Sequence, residues 1–315
     1  MKVLVTGGAG FIGANLCRAL ADAGDVRHVV ALDDLSTGTR ANLTGAGGVE
    51  LIEGSILDAS LLDAVLVDVD AVVHLAARPS VPRSLEDPWA THEANASGTM
   101  AVLEAARRRP PARRPHMIVA SSSSVYGMNP ALPKREDMVP RPASPYAASK
   151  LAAEAYALAY GNCFGLPVLV FRFFNVFGPL QAADHAYAAV VPAFVSRALR
   201  GEPLTIYGDG TQTRDFTFVG SVVAVLAEGL RRRLTHDTPV NLAFGSRVSL
   251  LELVAALEAV LGRSLALRHS APRPGDVAHS QADQELLRGL CPHVRPVDLL
   301  DGLRLTVDWF NEVGA

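Results

Sequence analysis

The sequence predicts an α/β fold: a doubly wound parallel sheet followed by a smaller α/β C-terminal unit. Three observations predict it. Short apolar runs such as Val3-Leu4-Val5, Val29-Val30, Val72-Val73 and Ile118-Val119 recur, and near-continuous Val/Ile/Leu runs belong to strands covered on both faces. Longer amphipathic stretches separate them, and strand–helix alternation makes a parallel sheet with right-handed crossovers. The chain has 315 residues, 49% hydrophobic and 19% charged, enough for about two domains with a full core.

In chain order, Lys2–Thr6 reads as the first buried strand and Phe11–Ala23 as the first helix. Strands follow at His28–Asp33, Val49–Glu53, Ala71–Ala76 and Met117–Ser121, with helices at Ala59–Leu66, Pro88–Arg109 and Tyr146–Asn162. Beyond residue 170 the alternation weakens and Gly and Pro are frequent. Pro192–Arg200 and Leu250–Leu261 still read as helices, and Leu204–Tyr207 as a strand. The expected division is a sheet domain over 1–170, rejoined by a segment near 215–243, and a second domain over 171–315.

Charge and cysteine usage exclude several classes. With 29 basic and 32 acidic residues the net charge is −3, so no nucleic-acid partner is expected. The arginine clusters at 107–109, 113–114 and 231–233 follow helical stretches, where cations complement the helix dipole. No run of about 18 uncharged apolar residues occurs, so no membrane span is expected. The apolar start is too short for a signal peptide. Cys17, Cys163 and Cys291 are too sparse for a disulfide framework and lack metal-ligand spacing, which fits a reducing cytoplasm and no metal site.

Gly7-Gly8-Ala9-Gly10-Phe11-Ile12-Gly13 follows the first strand and opens the first helix. Glycines there permit a tight turn and let the backbone approach a pyrophosphate, which the helix N-terminus then holds. Asp33 lies 33 − 13 = 20 residues after Gly13, at the end of the second strand. A carboxylate there binds ribose hydroxyls and repels a 2′-phosphate, so NAD is favoured over NADP. Asp34 adds to the repulsion; Arg40 is the one nearby cation.

Tyr146 and Lys150 stand at i and i+4 on one helix face, in a chain with only three lysines (Lys2, Lys134, Lys150). A nearby ammonium favours the phenolate and lowers a tyrosine pKa. The run Ser121-Ser122-Ser123-Ser124 ends the fifth strand, where ligands bind in open α/β sheets. A hydroxyl there can reach the same substrate oxygen as the tyrosine.

These motifs, with His74-Leu75-Ala76-Ala77, Asn95, Ser121–Gly127, Arg172–Pro179, Tyr207–Gly210, Arg214-Asp215-Phe216 and Arg273–Asp276, resemble the extended short-chain dehydrogenase/reductases. Within them the chain is most similar to NAD-dependent nucleotide-sugar epimerases and dehydratases, UDP-glucose 4-epimerases above all, over nearly its whole length. The resemblance implies a Rossmann domain holding NAD through Gly7, Gly10, Phe11, Ile12, Gly13, Asp33, Asp34, Ser55, Ile56, Leu75, Ala76, Ala77, Asn95, Tyr146, Lys150 and Phe173. It implies a UDP-sugar held by Ser122, Ser124, Asn175, Val190, Ile206, Arg214, Arg273 and Asp276. Tyr146 would be the base and acid, Lys150 its tuning cation and Ser122 the assisting hydroxyl; His74 reads as structural.

Departures from the family's patterns narrow the reading. Ser123 and Ser124 stand where dehydratases carry Asp-Glu, which disfavours dehydration. Gly54-Ser55-Ile56 replaces Gly-Asp-Ile. The loop Leu180–His185 lacks the arginine frequent in UDP-glucuronate epimerases and contains Asp184, which disfavours a C6 carboxylate. Ser280 matches a pocket-size position and is small, leaving UDP-glucose and UDP-N-acetylglucosamine open. A UDP-glucuronate 4-epimerase, another nucleotide-sugar epimerase such as a C3/C5 epimerase, a 4-ketoreductase and a non-catalytic NAD sensor are the other readings. The family pairs through two long helices, here Pro88–Arg109 and Tyr146–Asn162, so a homodimer is expected, packed on the small faces of Ala147, Ala148, Ala152, Ala153 and Ala157.

Overall fold

A computed structural model describes residues 1–183, 188–271 and 277–314. Seven strands form the central sheet in the spatial order Val240–Leu242, Val168–Phe173, His116–Ser122, Ala71–His74, Lys2–Thr6, His28–Asp33, Val49–Glu53. Every pairing between neighbours is parallel. The chain lays down the first three strands outward, then returns to the other side of Lys2–Thr6. That reversal leaves a crevice at the carboxyl ends of Lys2–Thr6 and Ala71–His74.

Alternate residues of each strand feed opposite layers. Val3, Val5, Val29, Ala31, Val73, Ile118 and Leu169 pack under the helices Phe11–Ala21 and Val219–Arg231. Leu4, Val30, Leu32, Val72, Met117, Val119 and Val170 pack under Ala59–Val65, Gly98–Arg107 and Pro145–Phe164. The sheet takes its last two strands from beyond residue 167.

Local chemistry sets the helix ends. Asp58 accepts the N–H groups of Ser60 and Leu61 at the start of Ala59–Val65. Ser144 accepts from Ala147 N at the start of the Tyr146 helix, which Pro145 opens and Gly165 closes at φ +66°. Pro at the first turn loses no helical bond, and a left-handed terminal residue suits glycine.

Two elements differ from expectation. The strand expected over Ala71–Ala76 ends at His74, because the chain must turn there to border the crevice. The single helix expected over Pro88–Arg109 is interrupted. Pro88–His92 and Gly98–Arg107 are α-helical, joined by a π-turn over Glu93–Ser97. Such bulges add a residue to the helical turn and cluster at functional sites.

The remaining strands are short pairs. Val176–Phe177 pairs with Thr217–Phe218 and Leu204–Tyr207 with Leu267–Ser270, both parallel; Thr213–Arg214 pairs with Val248–Ser249 antiparallel. Helices Val190–Leu199, Leu250–Leu261 and Leu299–Val313 enclose them. Val191, Phe194, Leu204, Leu253, Leu303 and Phe310 belong to the same apolar cluster as one face of the sheet. The C-terminal elements are therefore packed on the sheet layer.

Beneath the Tyr146 helix lies a buried ion pair. Arg172 donates from Nη2 to Glu154 Oε1 (2.6 Å) and from Nε to Oε2 (2.9 Å), with side chains 3% and 4% exposed. Ser121 Oγ also donates to Glu154, and the Arg172 guanidinium lies 4.7 Å from the centroid of the Tyr126 ring. Removing one partner leaves an uncompensated buried charge. Glu154→Gln is expected to lower stability by about 3 kcal/mol in urea unfolding, and replacing Glu154 and Arg172 together with apolar residues should recover most of that loss.

Candidate active site

A cleft of about 1000 Å3 opens over the crevice. On one side it is lined by Gly7, Gly10, Phe11, Ile12, Gly13, Asp33, Asp34, Ser55, Ile56, Leu75, Ala76 and Ala77. On the other it is lined by Ser122, Ser124, Tyr146, Lys150, Phe173, Asn175 and Arg214. The glycine turn and the Tyr146 helix, more than 130 residues apart in sequence, thus face one space.

The glycine turn fits a dinucleotide. Gly7 has φ +71°, and a Cβ there would sit 2.7 Å from Ala76 N. A Cβ on Gly13 would fall 2.0 Å from Gly7 O, whereas one on Gly10 would meet only Gly7 O, at 3.2 Å. Two glycines are therefore required by close backbone packing, and Gly10 keeps the approach to the helix start clear. No side chain caps that helix, so its first N–H groups are left for an anionic ligand.

Asp33 is almost fully buried and accepts from Ala9 N (2.9 Å) and Leu35 N (2.8 Å). Burial raises its pKa, against those backbone bonds. The carboxylate both braces the glycine turn and lines the cleft. Arg40, the cation that could have favoured a 2′-phosphate, is paired with Glu53.

Burial governs the Tyr146 and Lys150 pair. It raises the Tyr146 pKa, and the hydrogen bond with Ser122 opposes it. It lowers Lys150 to about 8, and the Glu154 charge one turn further on opposes that. The sequence expectation, a tyrosine pulled down by the ammonium, is not what this site shows: desolvation of the phenolate dominates.

Asn95 does not line the cleft. It is 1% exposed and lies behind the wall. Its Nδ2 donates to Ser149 Oγ (2.9 Å), and Ser149 Oγ donates to Tyr146 O (2.8 Å). Its Oδ1 accepts from Arg78 N (2.7 Å). The π-turn places it there. Thr99 Oγ1 donates to Asn95 O (2.6 Å) and so must accept from His74 Nε2 (2.9 Å). Nδ1 of His74 is then an acceptor, facing Thr6 Oγ1 at 2.7 Å. Burial and Lys150 push the imidazole down to about 3, so it is neutral, as this direction of bonds requires.

A second cavity of about 530 Å3 adjoins the first and shares Asn175, Val176, Ala189 and Arg214 with it. Val190 lines it as expected. Ile206 lines neither cavity and has no exposed surface; strand alternation turns Thr205 and Tyr207 to the second cavity instead. Arg273, Asp276 and Asp184 lie outside the described residues. Sequence reasoning missed Lys134, Gln181 and Gln212, which also line the cavities and which no spacing marks, and it gave no site role to Tyr207, although that residue opens the Tyr207–Gly210 motif. Among the described residues, no group of three or more His, Cys, Asp or Glu could hold a metal ion, and no helix is long and apolar enough to cross a membrane.

The chain belongs to the NAD-dependent epimerase/dehydratase family, whose model matches residues 3–243, and NAD is its cofactor. It is 37% identical to a UDP-glucose 4-epimerase of Mycolicibacterium smegmatis, over 99% of both chains. It is similar to the structure of a UDP-N-acetylglucosamine 4-epimerase from Methanobrevibacter ruminantium in complex with UDP-N-acetylmuramic acid (TM-score 0.92, 35% identity, covering 99% and 98% of the two chains). It is also similar to a UDP-glucuronic acid 4-epimerase from Bacillus cereus in complex with UDP-glucuronic acid and NAD (TM-score 0.88, 32% identity, 99% and 100% covered).

Behind the second cavity, Asp215 has no exposed surface. It accepts from Ser246 N, Ser246 Oγ and Ala282 N, joining two loops. Burial raises its pKa from 3.8 to about 6. The folded state binds this proton more tightly than the unfolded one. Its stabilisation is thus present below the unfolded pKa and is lost as pH rises through about 6. The stability of the protein relative to Asp215→Asn should therefore fall by about 1 kcal/mol between pH 5 and pH 8, read from paired urea midpoints.

Proposed function

We propose that the protein is a UDP-hexose 4-epimerase that inverts C4 by transient oxidation, with UDP-glucose and UDP-galactose as the parent pair and the N-acetylhexosamine pair admitted. One observation carries this: Ser122, Tyr146 and Lys150 meet in the cleft that the glycine turn also lines. A module that only sensed NAD would need no base.

Tyr146 Oη takes the C4 hydroxyl proton as the C4–H electron pair leaves as hydride. Bound NAD supplies the hydride acceptor and, once the 4-keto sugar has presented its other face, the donor. Tyr146 then returns the proton to O4. The sugar ends inverted with no net redox change, so no second substrate is consumed. Ser122, already bonded to Tyr146, is the group that favours the phenolate and donates to the same oxygen, and Lys150 stands one turn on along the same helix and lines the cleft. Arg214, in the wall shared by both cavities, suits the diphosphate because its planar fork matches phosphate oxygens. The second cavity then receives the nucleoside, and Ser280 at the wall of the first leaves room at the sugar.

The protein is further proposed to act as a cytoplasmic homodimer. Leu85 and Trp89 are 65% and 71% exposed on short helices beside the Tyr146 helix, which itself exposes Tyr156. The alanine face divides: Ala147, Ala153 and Ala157 are buried within the chain, Ala152 is half-buried and Ala148 is exposed.

The purified protein, with no cofactor added, should invert C4 of a UDP-hexose, followed by proton NMR. Tyr146→Phe should reduce that turnover by roughly 1000-fold while NAD stays bound. Absence of inversion even with NAD⁺ supplied, or an active Phe variant, would overturn the reading.

A further inference from the structure

We propose that Lys134 is a substrate-binding cation that gives the enzyme a preference for hexoses bearing a carboxylate. This rests on the reading of the cleft as a nucleotide-sugar site, and it ranks acid hexoses above the neutral UDP-glucose and UDP-galactose pair in that site.

Lys134 is 3% exposed and lines the cleft together with Ser124, Tyr126, Gly127, Val277 and Ser280. Those residues form the substrate side, opposite the glycine turn. Its backbone is firmly held: the N–H donates to Gln281 O (2.7 Å), and the carbonyl accepts from Asp283 N and Asn241 Nδ2, both at 2.8 Å. A bridge between Lys134 and Ala282 fixes its position two residues from Ser280. Nζ donates to the carbonyl of Asn129, one acceptor for a group with three donors.

Among the described residues Lys134 has no carboxylate partner. The acids around it are engaged elsewhere. Glu136 accepts from Asn241 N, Asp137 pairs with Arg135, Asp283 accepts from Glu285 N, and Asp215 holds Ser246 and Ala282. Burial alone lowers its pKa, with no charge opposing. A buried cation without a counter-charge is costly to the protein alone, and an anionic ligand arriving beside it removes that cost. Ser124 Oγ and Gln181 Oε1, in the same wall, are buried without partners among the described residues and offer hydrogen bonds around such a group. The loop after Pro179 has no arginine, which had argued against an acid sugar. The structure instead brings a cation from residue 134, in the wall that also holds Ser280.

The test is binding to the NAD-loaded Tyr146→Phe protein by calorimetry at low salt. The probes are UDP-glucose, UDP-glucuronate (carboxylate at C6) and UDP-N-acetylmuramate (carboxylate on a C3 ether). At least one acid is expected to bind tenfold or more tightly than UDP-glucose, and which one does so locates the carboxylate on the ring. Adding Lys134→Met should remove that preference and leave UDP-glucose within about twofold; Lys134→Arg should keep it. Equal affinities for all three probes, or a Met variant that weakens acid and neutral sugars alike, would overturn the proposal. C4 inversion by the unmodified enzyme is followed separately. A binding preference without inversion would leave the cation site standing and remove the epimerase reading.

Discussion

The cleft depends on one directed run of buried hydrogen bonds. It begins at Ala76 N, passes through Thr6, His74, Thr99, Asn95 and Ser149, and ends on the carbonyl of Tyr146. Each hydroxyl accepts from one neighbour and donates to the next. The neutral imidazole allows this, because it has one donor and one acceptor nitrogen. The glycine-turn side of the site and the Tyr146 helix are thereby held in one register through the first and fourth strands. Packing alone could not do this, since apolar contacts are non-directional.

A second polar cluster works beneath the first. Glu154 gathers Arg172 and Ser121, Arg172 covers the Tyr126 ring, and Tyr126 donates to Asn241. Asn241 in turn binds the backbone at Lys134 and Asp283. The Tyr146 helix and the loops at Lys134 and Asp283 therefore share a foundation. The Glu154 charge that sustains Lys150 and the backbone that carries Lys134 belong to one connected set of bonds.

Much of the site was legible because its signals are local. The glycine turn, Asp33 at the end of its strand, and the Tyr146/Lys150 spacing each depend on a few consecutive residues and on backbone geometry. The strands of the first half were legible for the same reason, through their apolar runs. What was not legible is non-local or a matter of phase. Ile206 and Tyr207 are adjacent, and only the strand's pairing decides which one meets the cavity. Lys134 has no motif; it is placed by a bridge to Ala282, almost 150 residues on. The ionisation of Tyr146 was misjudged because spacing shows a neighbouring charge but not the loss of solvent around it. Periodicity also could not show the π-turn, since an added residue leaves the apolar pattern on either side intact.

That π-turn has a consequence for how the gene can change. The extra residue at Glu93–Ser97 sets the phase between Pro88–His92 and Gly98–Arg107. Deleting any one residue there would restore a regular helix but rotate one half against the other by about 100°. Asn95 would then leave Ser149, or Val102 and Leu103 would leave the core. Most surface loops absorb a single-codon insertion or deletion, and this exposed-looking helix does not. Its helical register is as constrained as the backbone of the glycine turn, although its amino acids are ordinary.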